Sequence, residues 1–243
     1  MSDRTMPNIS LITVAAISLG YFSLAFMVYF FSPNYPWTKK FAIRLGDSES
    51  EPEIRVYLER FIAFILLGLI PGILFWLISD FQLSSVGVAL PAGKYLWLKW
   101  LIPLAIFFGI YFFRPEKGVT TAFYPQVRKT NWDFKRFLIN TSSWIVYLAA
   151  YEFAFRGWLF FTCLDAFGYL PAVMINCAIY SISHIPKGFG EAFGAFFMGI
   201  LFCIIAKQTG SFLIPFVLHL VLAVGNDLKA ITVNPEMHIS LKK

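Results

Sequence analysis

The chain has 243 residues, of which 58% are hydrophobic and only 14% charged, with 28 Phe and a mean hydropathy of +0.67. Soluble domains average about 25% charged residues, so this composition excludes an ordinary water-soluble globular domain and points to the bilayer. The net charge of +6 is not a nucleic-acid footprint, because the basic residues sit between apolar runs, where they set topology.

A helix crossing the hydrocarbon core needs roughly 20 apolar residues. The runs that answer this are Ser10–Phe31, Phe61–Ser79, Leu96–Phe113, Phe137–Phe161, Tyr169–Ser183, Ala192–Ala206 and Phe212–Leu228, the fifth and sixth being short. The first is long enough to span and lacks a small-residue cleavage site, so it reads as a retained transmembrane helix and not a signal peptide. Cys163, Cys177 and Cys203 are odd in number, have no CxxC spacing, and read as small buried hydrophobes. The expected fold class is all-α: a polytopic transmembrane helix bundle of about seven spans, with an eighth if Phe81–Leu90 dips into the membrane. Residues 1–136 form the N-terminal helices and loops, and 137–243 carry the chemistry, all within one integral membrane domain.

Lys39, Lys40, Arg44, Arg55 and Arg60 follow the first span. Arg114, Lys117, Arg128, Lys129, Lys135 and Arg136 follow the third, Lys187 the fifth, and Lys229, Lys242 and Lys243 close the chain. The other side holds Arg4, Lys94, Lys99 and Lys207. By the positive-inside rule the N-terminus is outside and the C-terminus cytoplasmic, with the plasma membrane of a prokaryote as the expected location and membrane lipids as partners. Ser48–Arg60 alternates acid and base and fits either a short amphipathic helix on the cytoplasmic face or a solvated linker.

Within the fourth span stand Glu152 and Arg156. A charge at bilayer depth costs at least ~2.5–3.5 kcal/mol, so it persists only when paired, hydrated or used. The i to i+4 spacing, acid first, puts both groups on one helix face in the favoured order. His184 ends the fifth span, Glu191 opens the sixth beyond a Pro–Gly loop, and His219 lies inside the seventh, with Asn226 nearly beneath it and Asp227 about 80° round. Each residue has a structural reading beside the functional one. The Glu–Arg pair can clamp helices, His184 can sit at an interface, and His219 can be an interhelical hydrogen-bond donor. Glu191 and Asp227 can be solvated span-end charges, and Tyr151 a packing aromatic.

These residues resemble the CAAX prenyl protease and bacteriocin-processing (CPBP, or Abi) intramembrane proteases. That family's pattern is Glu-Glu-xxx-Arg, then Phe-xxx-His, then His-xxx-Asn. Here the parts read Tyr151-Glu152-xxx-Arg156, Tyr180-xxx-His184 and His219-xxx-Ala223, with a Thr209-Gly210-Ser211 turn and Pro215 leading into the last. The resemblance runs from about Phe137 to Asp227 and implies a membrane-embedded endopeptidase. In the family, the first glutamate and second-motif histidine activate water, while the third-motif histidine and asparagine stabilise the oxyanion. Tyr151 and Ala223 replace two of these four groups, and a neutral phenol is a poor base. Lys187, Glu191 and Asp227 fit a branch with an aromatic before the glutamate, a His-x-x-Lys-x-x-x-Glu stretch and a late aspartate.

The resulting expectation is hydrolysis of a peptide or membrane-tethered protein near the cytoplasmic face, with no nucleic acid involved. Glu152 or Glu191 activates water together with His184, Arg156 orients Glu152, and His219 with Asn226 donates to the oxyanion. The rival reading is a catalytically altered, non-proteolytic binding or immunity protein on the same scaffold. No cofactor is expected, although His184 and His219 with Glu152 or Glu191 would make a His₂Glu zinc set. A transporter would need polar residues in both halves, and the first spans are almost purely apolar.

Overall fold

The computed structural model describes residues 10–78, 82–93, 105, 108–109 and 121–240. Ser10 caps the first helix, its Oγ accepting from the Thr13 amide at 3.2 Å, and α1 runs Leu11–Phe31. One side of α1 is buried through Ala15, Ser18, Phe22, Ala25 and Tyr29. Ile17, Leu24 and Val28 point outward as lipid-facing apolar surface.

A short helix, α2 (Pro36–Leu45), follows. Then α3 (Glu51–Ala63) widens into a π-helical segment, Phe64–Leu69, and continues as α4 (Ile70–Ile78). The wide turn comes just before Pro71, which has no N–H to give to the regular ladder. The Ser48–Arg60 stretch is therefore neither a separate short helix nor a linker. Pro52 and two first-turn acids start a rod there, and no breaker interrupts it before the apolar residues. Arg60, expected in a flanking loop, is a buried helical residue, 3% exposed. Gln126, Asn140 and Ser143 accept from its guanidinium, which lies 3.8 Å over the Trp144 ring.

The expected third span, Leu96–Phe113, lies outside the described residues apart from 105, 108 and 109. Of the Phe81–Leu90 segment, the described part forms one 3-10 turn, Leu83–Val86. It is docked by hydrogen bonds from Phe212 N to Gly87 O (3.2 Å) and from Ala92 N to Thr209 O (3.0 Å).

Asp133 caps α5 (Phe134–Glu152) by accepting from the Arg136 amide. A second π-helical segment, Phe153–Leu159, leads into α6 (Phe160–Phe167). The two π segments lie against each other, and a Cβ on Gly68 would come within 2.8 Å of the Ala150 Cβ. Glycine thus permits the close approach that helices in lipid use for association. Three more helices follow among the described residues: α7 (Tyr169–His184), α8 (Phe189–Thr209) and α9 (Leu213–Val233). Gly210, at φ 65°, closes α8 in the left-handed conformation that glycine adopts without strain.

Among the described residues, four helical stretches are long and apolar enough to cross a membrane: Leu11–Asn34, Glu51–Leu74, Phe189–Thr209 and Leu213–Val233. The chain is an all-α integral membrane bundle. Among the described residues, several basic side chains gather at one end. Here Lys129 Nζ donates to Glu49 O at 3.0 Å, and Arg136 Nε pairs with Glu53 at 3.3 Å. There too β1 (Asn131–Asp133) pairs in parallel with β2 (His238–Ser240). The segment 82–93 and the α8–α9 turn, next to Lys207, meet at the opposite end.

Candidate active site

Between the basic end and the bundle centre lies a cavity of about 480 Å³. Its walls come from α1, α3, α5, α7, α8, α9 and the loop before β1. His184, Glu191, His219 and Asn226, singled out from the sequence, all line it, as does Ala223. Glu152 and Arg156 do not. Both are fully buried and stand behind His219.

The Glu152–Arg156 face is answered by α9. Glu152 Oε1 accepts from His219 Nδ1 at 2.6 Å, and Arg156 Nη1 lies 3.2 Å from Glu152 Oε2. The guanidinium is capped by the Tyr180 ring, 3.9 Å away. The second-motif aromatic is thus a cation–π shelf for the first-motif arginine. The π-helical segment carries Arg156 inward, and Gly157 beside it lets the chain pass close to another element. A Cβ there would sit 2.7 Å from Val86 O.

The ring nitrogens can be assigned from their partners. His184 Nδ1 lies 2.8 Å from Tyr180 O, and a carbonyl only accepts, so Nδ1 carries the proton and Nε2 bears the lone pair. His219 Nδ1 likewise donates to the Glu152 carboxylate. In both rings Nε2 is the nitrogen left to serve the cavity. Tyr151 holds the family's first-glutamate position: it lines the cavity, and its hydroxyl is 3.0 Å from Ser183 Oγ, which is 3.1 Å from His184 Nδ1.

Asp227, expected among solvated span-end charges, is fully buried. Its Oδ2 accepts from Asn140 Nδ2 at 2.9 Å and Trp144 Nε1 at 2.7 Å, donors supplied by α5. Three cavity residues outside the sequence-derived set are Glu59, Tyr124 and Lys187. Lys187 donates to the Tyr124 hydroxyl at 3.1 Å. Burial opposes its charge, but Tyr124, Glu191 and Glu59 outweigh that and raise its pKa above the ordinary lysine value. Lys187 carried a signal in the His-x-x-Lys-x-x-x-Glu spacing. Glu59 and Tyr124 carried none, because only tertiary contact brings α3 and the 121–130 loop to the motifs.

Among the described residues, no three His, Cys, Asp or Glu side chains come together in a way that would hold a metal ion.

Fold and site together define a polytopic helical membrane protein with a largely aromatic cavity into which two oriented imidazoles and two carboxylates, Glu59 and Glu191, project. Residues 134–224 match the family described as Rce1-like, Type II CAAX prenyl endopeptidase Rce1-like. The motif-bearing part of the chain is thus similar to CAAX-type membrane endopeptidases, in line with the resemblance drawn from the three motifs. The match includes Glu152, Arg156, His184, Glu191 and His219, while Glu59, Asn226 and Asp227 fall outside it. No curated protein and no solved structure matches the chain.

Proposed function

We propose that the chain hydrolyses a peptide bond of a membrane-tethered polypeptide at the basic, cytoplasmic end of the bundle. The observation that carries this reading is the convergence of His184, His219 and Glu191 on one cavity, with both Nδ1 atoms already committed to inward partners. Water held between His184 Nε2 and the Glu191 carboxylate gives a proton to this pair as its oxygen attacks the scissile carbonyl. The proton then passes to the leaving nitrogen as the C–N bond breaks, leaving a new carboxylate and a new amine. Glu152 is a positioning residue: it sits outside the cavity lining and fixes the His219 ring while Arg156 holds its charge in place. For His219 Nε2 to donate to the tetrahedral oxyanion, the ring must carry both protons, and Glu152 supplies the counter-charge. Asn226, also in the lining, is the amide placed to take the part that Ala223 lacks. Oxyanion donors are worth about 2.7–4 kcal/mol each in other hydrolases.

The test is cleavage of a membrane-tethered peptide library by the purified chain in lipid. His184→Ala and Glu191→Gln abolish cleavage and Glu49→Gln does not; equal activity in all three variants removes the proposal.

One observation favours a non-proteolytic binding or immunity protein instead. The first-glutamate position holds a buried phenol bonded to Ser183, and Ala223 leaves an apolar wall where the family has an amide. That reading wins if His184→Ala and His219→Ala preserve cellular function while Glu152→Ala destroys the fold.

A further inference from the structure

Glu59 of α3 faces the cavity from outside the matched segment. Its carboxylate has no hydrogen-bond or ion-pair partner among the described residues. The cations around it are engaged elsewhere. Arg55 pairs with Glu51 at 3.4 Å, Lys187 donates to Tyr124, and Arg60 is turned onto Asn140, Ser143, Gln126 and the face of Trp144.

The charges around the cavity leave a remainder. Glu152 and Arg156 balance each other behind one wall, and Arg60 and Asp227 balance each other behind another. Facing the cavity are two carboxylates, Glu59 and Glu191, against one ammonium, Lys187. With both carboxylates ionised and both imidazoles neutral, the state before His219 takes up a second proton, one negative charge facing the cavity is unmatched. Such a charge is costly unless something positive or hydrating joins it. The wall that shares the cavity with Glu59 is aromatic. Tyr29 and Tyr147 both line it and are joined hydroxyl to hydroxyl at 2.7 Å, and the Phe26 and Phe30 rings line it as well. A carboxylate and aromatic rings lining one cavity together suit a cation.

We infer that the Glu59 side of the cavity is a specificity subsite for a lysine or arginine side chain of the substrate, a role that rests on the hydrolase reading of the same cavity. The volume, about 480 Å³, lies in the range of small-ligand sites, so a peptide segment can enter with the cationic side chain. The same unmatched charge excludes acidic side chains from this wall, which supplies the repulsive half of specificity.

The experiment compares a hydrophobic peptide amide carrying one lysine with twins carrying norleucine or glutamate. Binding to the full chain in micelles is measured by calorimetry in the His184→Ala background, where turnover is blocked. The lysine peptide binds about tenfold tighter than norleucine, Glu59→Gln erases the difference, Glu59→Asp keeps part of it, and Glu49→Gln keeps all of it. Cleavage with His184 intact shows the same ratio in kcat/KM. Equal affinity for lysine and norleucine, no binding of either, or a lysine preference that survives Glu59→Gln overturns the inference. If lysine preference in binding is Glu59-dependent but no peptide is cleaved, the subsite stands and the hydrolase reading is what fails.

Discussion

Replacing Glu152 with Gln tests how the buried ionic group is held. In the native chain the Arg156 guanidinium is fully buried, its Nε and Nη2 have no hydrogen-bond partner, and Glu152 is the anion beside it at 3.2 Å. The variant keeps the shape and an acceptor for His219 but removes the charge. Taking one partner from a buried ion pair costs about 3–5 kcal/mol, because the other charge stays dehydrated and unmatched. Loss of charge assistance in the His219 bond adds to this, since hydrogen bonds to ions are worth about 1.5–3 kcal/mol against about 1 for neutral ones. The double variant Glu152→Gln/Arg156→Met removes the orphan cation, so most of the loss returns. The assay is reversible unfolding in mixed micelles titrated with SDS. A loss below ~1 kcal/mol in the single variant, or a double variant no more stable than the single, refutes the reasoning.

Asp227→Ala leaves the Asn140 and Trp144 donors unmet, at about 1–3 kcal/mol for each buried group, and lowers the unfolding midpoint in the same titration. Gly157→Ala puts a methyl 2.7 Å from Val86 O; overpacking of this kind costs about 1–3 kcal/mol and appears as a lower melting temperature. Tyr151→Glu combined with Ala223→Asn restores the family pattern at both altered positions. It raises the cleavage rate by on the order of tenfold or more, measured as peptide product per unit time, because a carboxylate replaces a phenol beside His184. Removing divalent metal with a chelator leaves the cleavage rate unchanged, checked with metal analysis of the same sample.

The Glu152–Arg156 pair was legible because charges inside an apolar run must be explained, and their spacing shows that they share a face. Spacing along one helix cannot show which other helix answers that face. His219 does so, its Nδ1 donating to Glu152 Oε1 at 2.6 Å. Hydropathy starts the second span at Phe61, whereas its helix begins at Glu51; Arg60 reads as a flanking charge because a charge at the edge of an apolar run looks the same solvated or buried. Arg60 is buried against Asn140, Trp144 and Gln126, which are remote in sequence. Asp227 misled in the same way: its donors stand on α5, in another part of the chain. The described part of the Phe81–Leu90 run docks against Gly157 and the α8–α9 turn through Val86 and Gly87, and hydropathy alone does not separate docking from insertion.

Hydrolysis by this cavity is tested most directly with oxygen-labelled water. The purified chain in lipid vesicles is given a single membrane-tethered peptide in H₂¹⁸O, and the new C-terminus is read by mass spectrometry. The account predicts one ¹⁸O in the newly formed carboxylate with the native chain and no product with His184→Ala. Labelled product from both proteins, or none from either, contradicts it.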